Sequence, residues 1–358
     1  MMRKMRVTRR VNVFKKVISA VAVSALAAAM LTGCGTSTGS NTGSSQENKV
    51  YKVGVTQISD HPSLDNCRKG FIEGLKNEGF VEGQNLEIEF VGAQDDMAKN
   101  TQIAQNFANA GKDLVCGIAT PSAQALYAAC HDKNIPVIFN AVSDPVAANL
   151  AKSKTEALPG ISGVSDQLPV EAQLQLIRKM LPDAKKIGIL YSTGEANSVS
   201  TLEVYKELAP KYGFEIVDKG ISKKADVPAA ADVVLNEVDC ISNMTDNTVV
   251  ASLAIVLDKA NAKKIPVFGS EEEQVKNGCL ACAGLDYVQL GVQAGEMAGK
   301  VLKGTDISAL PYETLTESSV KVNDEVASSL GITVPDDIKT KKLKTTEILG
   351  GSKSRLVF

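Results

Sequence analysis

Tryptophan is absent from the 358 residues, and aromatic residues of any kind make up only 4% of them. A protein that stacks sugars or unpaired bases on flat rings needs more aromatic surface, which counts against a glycosidase and a single-strand nucleic-acid binder. Histidine is as scarce. His61 and His131 are too few for a His-rich metal site, and neither falls at a strand end beside a nucleophile, so Ser–His and Cys–His pairs are excluded. No H-E-x-x-H helix or P-loop G-x-x-x-x-G-K-[ST] occurs, and no G-x-S-x-G elbow lies between a strand and a helix. The longest apolar run has 15 residues, short of the roughly 20 that a membrane-spanning helix needs. With 44% hydrophobic and 22% charged residues mixed along the chain, neither a polytopic membrane protein nor a disordered chain fits.

Charge is unevenly distributed. Residues 1–33 carry seven basic side chains and no acid, and removing those seven charges from the formal −2 of the chain leaves −9. An acidic body without a basic patch excludes nucleic acid as the partner. The basic start is followed by the apolar run 17–31, which reads as the core of a secretory signal. It ends in Leu31-Thr32-Gly33-Cys34, similar to a bacterial lipobox, with Cys34 the thiol to be acylated. Residues 34–49, rich in Gly and Ser, read as a tether that lets a folded body stand off a membrane. The body is therefore expected outside the cytoplasm, lipid-anchored, with a Gram-positive surface favoured.

Six cysteines remain: Cys67, Cys116, Cys130, Cys240, Cys279 and Cys282. An even number in an exported chain invites disulfides. A body this large folds without staples, however, and Cys116 and Cys240 lie in apolar strand-like runs, so buried free thiols are expected. Cys279-Leu280-Ala281-Cys282 lies in an apparent strand rather than at the helix start a redox motif requires, and no second Cys or His pair completes a zinc site. No metal or cofactor is expected.

From residue 50 short β-rich runs alternate with longer amphipathic ones: strands at 50–58, 86–91, 113–119 and 135–139, helices at 62–78, 95–110 and 121–132. This alternation predicts parallel sheets covered on both faces. The pattern then recurs. Tyr51-Lys52-Val53-Gly54-Val55 matches Lys185-Lys186-Ile187-Gly188-Ile189, and Lys133-Asn134-Ile135-Pro136-Val137 matches Lys263-Lys264-Ile265-Pro266-Val267. Near-constant offsets predict two similar α/β lobes, each doubly wound around a parallel sheet and joined by a multi-strand hinge. A late helix, 288–303, brings the chain back to the first lobe. Lobes of this kind present their loops at the carboxyl ends of the strands, where a small ligand is held between them.

The strand-end loops supply the candidate site. Thr120-Pro121-Ser122-Ala123-Gln124 opens a helix, whose N–H groups and dipole favour an anion; a plain helix cap is the alternative. Glu195, Asp246 and Asp286 end three strands of the second half and offer counter-charges for an ammonium, with Asn197, Ser198, Asn247 and Tyr287 beside them. Capping or solvation accounts equally for each acid taken alone. Gln57, Asn140 and Asp144 complete the first-half candidates, and His61 reads as a loop residue before a helix rather than a ligand contact. For an aromatic ligand side chain, Tyr287 and Phe139 are the available flat walls.

Several ordered motifs carry a resemblance: His61-Pro62-x-Leu64-Asp65, Ile118-Ala119-Thr120-Pro121-Ser122-Ala123-Gln124, Ser143-Asp144-Pro145-Val146, Gly163-Val164-Ser165-Asp166, Gly194-Glu195-Ala196-Asn197-Ser198, Asp246-Asn247-Thr248-Val249 and Gly284-Leu285-Asp286-Tyr287. The chain resembles the extracytoplasmic substrate-binding proteins of ABC transporters, in the tryptophan and tyrosine branch. The resemblance implies a type I periplasmic-binding-protein fold with three hinge crossings. It also implies capture of a free amino acid, aromatic by preference, by a monomer that delivers it to a permease and its ATPase. A ligand-sensing subunit, or a binder of a nucleoside or sugar, remains as an alternative. The expected division is residues 50–162 with about 288–318 as one lobe, 163–287 with about 319–335 as the other, and a tail of uncertain structure at 336–358.

Overall fold

The structure, a computed structural model, describes residues 49–338. The leader, Cys34 and most of the tether lie outside the described residues, as does the tail beyond residue 338.

The first sheet is laid down by β1 (Tyr51–Gln57), α1 (Pro62–Asn77), β2 (Leu86–Gly92), α2 (Met97–Asn109), β3 (Leu114–Ile118), α3 (Thr120–Cys130) and β4 (Val137–Asn140). A two-stranded excursion, β5 (Ala151–Ser153) with β6 (Glu156–Ala157), precedes β7 (Ile161–Ser165). The second sheet follows: α4 (Val170–Met180), β8 (Lys186–Ser192), α5 (Ala196–Leu208), β9 (Glu215–Ile221), α6 (Val227–Val234), β10 (Cys240–Ser242), α7 (Asn247–Val250), α8 (Leu253–Ala262), β11 (Val267–Phe268), α9 (Glu272–Lys276) and β12 (Ala281–Leu285). The chain ends its described course with α10 (Tyr287–Leu302), β13 (Glu313–Thr314), β14 (Ser318–Val322) and α11 (Asp324–Leu330).

Strand order in the first sheet is β13-β7-β4-β3-β1-β2, all parallel. The second runs β11-β10-β8-β9, also parallel, and is continued past β11 by β12, which is bonded through Leu280 N–H to Val267 O and Gly269 N–H to Ala281 O. β14 closes that edge antiparallel to β12. Strands buried on both faces read as continuous apolar runs, which is why β3 (LVCGI) and β12 (ACAGL) are buried at every position. The two doubly wound sheets expected from the strand–helix alternation are thus present, with element ends within one or two residues of expectation. All six cysteines among the described residues are buried and unpaired. Cys279 lies just before β12, and burial pushes both its thiol and that of Cys282 well up.

The chain passes between the sheets three times: from β7 to α4, from β12 to α10, and from β13 to β14. The second passage is locked by glycine. α10 lies along α1 so closely that a Cβ on Gly70 would come within 2.0 Å of Val288 O, and one on Gly291 within 2.2 Å of Cys67 O. Gly74 and Gly295 repeat the arrangement one turn on, each 2.2 Å from a backbone oxygen. Only helices lacking side chains at these four positions approach backbone to backbone, as in the small-xxx-small pattern. Leu290, Ala294, Met297 and Ala298 of α10 accordingly belong to the first sheet's core, although the helix follows a strand of the second.

Candidate ligand-binding site

The carboxyl ends of both sheets' strands border one cavity. The first sheet contributes Asp166 after β7, Ala141 and Ser143 after β4, Ala119 and Thr120 after β3, and His61, Ser63 and Leu64 from the loop after β1 and the start of α1. The second contributes Asn197 after β8, Thr245, Asn247 and Val250 after β10, Glu271 and Gln274 after β11, and Tyr287 after β12.

Backbone strain collects on this wall. Ala119 has φ 70° and ψ 157°, a region that glycine enters freely and alanine at a cost of about 1–3 kcal/mol, and Ala141 on the neighbouring strand end has φ 58°. The Ala119 conformation turns the chain from β3 straight into α3. That helix therefore begins at the cavity with no side-chain cap for its first N–H groups, and its dipole makes this end receptive to an anion. Thr120 Oγ1, Asn197 Oδ1 and His61 Nδ1 are shielded from solvent there without a hydrogen-bond partner. Buried polar atoms are nearly always paired in folded proteins, so three orphans from both sheets around one space point to a ligand.

The charge of the wall is one-sided. Asp166 and Glu271 are each only 2% exposed, and among the described residues no Lys or Arg borders the cavity. Asp166 accepts hydrogen bonds from Tyr287 Oη at 2.6 Å and Ser143 Oγ at 2.9 Å, yet burial outweighs them and raises its pKa. Glu271 is likewise raised by burial, against bonds from the N–H groups of Glu273 and Gln274 and from the Ser63 hydroxyl. Burial holds His61 down to about 4, so its imidazole is neutral at physiological pH. A cationic group would relieve both acids. Among the described residues no group of three His, Cys, Asp or Glu side chains is placed to hold a metal ion.

Of the residues expected at the site, Thr120, Asn197, Asn247 and Tyr287 border the cavity. The rest lie behind the wall or away from it, for local reasons. Glu195, expected as an ammonium partner, is saturated. It accepts from the backbone N–H groups of Asn247 and Thr248, from Asn247 Nδ2 and Thr248 Oγ1, and from Asn197 Nδ2. Asp246 turns into the second sheet, taking bonds from Ser192 N–H, Ser198 Oγ and Val249 N–H; burial first and Glu195 second push it up to about 7. Ser198 is spent on that bond. Asp286 caps α10 through Val288 and Gln289 N–H and faces a separate groove at the crossings. Asp144 caps its own loop through Val146 and Ala147 N–H. Gln57 bonds Asp65 and Arg68, and Gln124 bonds Ala148 O. Ser122 reaches Asn100, Asn140 reaches Cys67 O, and Pro121 is buried in the first turn of α3. Phe139 packs in the core against Tyr312.

Ser63, Ser143, Asp166, Thr245, Glu271 and Gln274 are polar wall residues outside the expected set, and His61, expected as a loop residue only, borders the cavity as well. A signal for two of them was available. The repeat offset of 130 that aligns Val137 with Val267 also aligns Ala141 with Glu271, and both border the cavity. Asp166 directly follows β7, as the other expected contacts follow their strands.

Contacts between the two sheets' loops close the space. Ser143 Oγ meets Thr245 Oγ1 at 3.3 Å, Ser63 donates to Glu271, Asn66 Nδ2 donates to Glu273 at 3.3 Å, and Lys224 pairs with Asp95 at 3.7 Å. Solved structures of similar proteins share this fold. An ABC domain from Streptococcus pneumoniae in complex with L-Trp is 34% identical, with a TM-score of 0.79 over 81% of this chain and 97% of its own. A ligand-free, open substrate-binding protein from Clostridium difficile is nearer in sequence at 41% but scores 0.63, over 80% of this chain and 97% of its own. A tyrosine-binding protein of Clostridioides difficile (strain R20291) is 40% identical over 339 residues, 93% of this chain and 97% of the relative. Residues 52–346 match the family described as ABC transporter substrate binding protein. Two parallel sheets opposed across a cavity, joined by three crossings and matched over most of their length, make this chain a member of the ABC transporter substrate-binding protein family.

Proposed function

We propose that the protein captures one free amino acid, with an aromatic side chain, between its two sheets and delivers it to an ABC permease at the outer face of the membrane. The observation that carries this reading is a pair of complementary half-sites on one sheet edge. Asp166, buried with no cation beside it, follows β7, and the uncapped start of α3 with the unpartnered Thr120 hydroxyl follows β3. One strand lies between them, so at about 4.8 Å per strand they stand roughly 10 Å apart, room for an ammonium and a carboxylate on one carbon. The names of the tyrosine-binding relative and of the L-Trp complex support the same class of ligand.

On this reading the first lobe is residues 50–165 with about 288–318, its end moved from 162 because β7 pairs throughout with β4 of the first sheet, and the second is the stretch from there to 287 with about 319–335. Ligand stabilises the closed form because its contacts are split between them. The role is binding rather than catalysis, as for the substrate-binding family the chain belongs to. Cys34 carries the lipid that holds the body at the membrane. A thermal-shift screen of residues 49–338 against amino acids, sugars and nucleosides tests the reading, since a ligand at a hundred times its Kd adds about 2.7 kcal/mol of stability. Aromatic amino acids should raise the Tm and titrate one to one. A shift from sugars or nucleosides alone would overturn the assignment.

A further inference from the structure

The cavity wall changes character along the first sheet's edge. Strand order sets Asp166, Ala141, Thr120 and His61 in sequence, after β7, β4, β3 and β1. If the ligand's ammonium and carboxylate occupy the span from Asp166 to Thr120, as proposed above, its side chain runs toward the β1 end. Leu64 and Val250 flank that end with apolar surface, but it is closed by polar atoms.

His61 is half-buried, bordering the cavity on one side and an outer groove on the other, with Nδ1 shielded and unpartnered. Glu271 borders the same two spaces. Its carboxylate has about four acceptor positions, and three donors reach it: Ser63 Oγ and the N–H groups of Glu273 and Gln274. The Gln274 amide is committed, its oxygen to Asn243 and its nitrogen to Ser270. Two functions therefore remain open at the far end, the His61 nitrogen and the last acceptor position of Glu271. A plain phenyl ring pressed there would bury both unpaired, and sites built to bond a substrate O–H or N–H reject analogues lacking it.

We propose that His61 and Glu271 are specificity-determining residues that select an aromatic amino acid carrying a hydrogen-bond donor on its ring, a phenolic O–H or an indole N–H, over phenylalanine. The inference rests on the amino-acid reading above but can fail separately from it. Calorimetry with L-Tyr, L-Trp, L-Phe and O-methyl-L-tyrosine on the wild-type protein needs no variant. The better of L-Tyr and L-Trp should bind at least tenfold more tightly than L-Phe. If L-Tyr is the better, masking its O–H as the methyl ether should remove that advantage. In His61→Leu, whose ligand-free Tm checks folding, the preference over L-Phe should shrink to within threefold while L-Phe affinity changes by less than threefold. L-Phe binding as tightly as the better of the other two, or His61→Leu weakening all ligands equally, would overturn the selection while leaving the amino-acid reading intact. No binding by any of the four would overturn both.

Discussion

Replacing Gly291 by alanine should separate two helices and, with them, loosen the site. In a helix interior the change by itself favours folding by about 1 kcal/mol, because alanine is the better helix former. Packing opposes it. The new Cβ would lie 2.2 Å from Cys67 O and 2.9 Å from both Gly70 Cα and Phe71 N, all backbone atoms that no rotamer can move. Ordinary contact begins near 3.4 Å, so α1 and α10 must part by about 1 Å. Parting them also opens the approaches at Gly70, Gly74 and Gly295. Overpacking a core typically costs about 1–3 kcal/mol, occasionally more. With four interlocked positions affected we expect the upper end, a net loss of about 2 kcal/mol in urea unfolding at unchanged m. Because α10 begins at Tyr287, which holds Asp166 at 2.6 Å, ligand affinity should fall as well. Gly194→Ala is the control. Its Cβ would meet only Ser192 Oγ at 4.0 Å, so stability should stay within about 1 kcal/mol of wild type. An unchanged urea midpoint for Gly291→Ala would refute the close-packed crossing and the route by which α10 positions Tyr287.

Four further outcomes are expected. Asp166→Asn should weaken amino-acid binding at least tenfold, since bonds to charged groups are worth about 1.5–3 kcal/mol. In the wild type, affinity measured by calorimetry should decline on acidification, because Asp166, raised by burial, takes up a proton before an ordinary carboxyl would and ceases to be a counter-charge. Asp246 has a folded pKa of about 7, above its unfolded value, so its contribution to stability is present below the unfolded pKa and is lost as pH rises through 7. Ser198→Ala removes a donor to the ionised form and should cost about 2 kcal/mol above pH 8 but less than about 1 kcal/mol near pH 5; equal costs in denaturant titrations would contradict that assignment. Ala119→Gly should relieve part of the positive-φ strain and raise the unfolding free energy by about 1 kcal/mol, and a loss would mean the strain is not stored there.

The strand–helix alternation, the match of Val53-Gly54-Val55 with Ile187-Gly188-Ile189 and the recurrence of Ile-Pro-Val determined, without coordinates, that there are two wound sheets whose ligand-facing loops follow their strands. The periods of 2 and 3.6 record which face of each element is buried, so fold class survives in a single sequence. Thr120, Asn197, Asn247 and Tyr287 were legible for the same reason: each follows a strand end. Which acid remains available to a ligand was decided only in three dimensions. Glu195 and Asp166 look alike as acids just beyond a strand, but donors on Asn247 and Thr248, more than fifty residues later, saturate Glu195, whereas Asp166 receives only two side-chain hydroxyls and keeps its buried charge unbalanced. Glu271 and His61, far apart in the chain, border the same cavity, and α10, packed on α1 through four glycines, carries the chain from the second sheet back to the first. Periodicity encodes burial along the chain, while the pairing of one polar atom with another depends on the crossing of elements far apart in it.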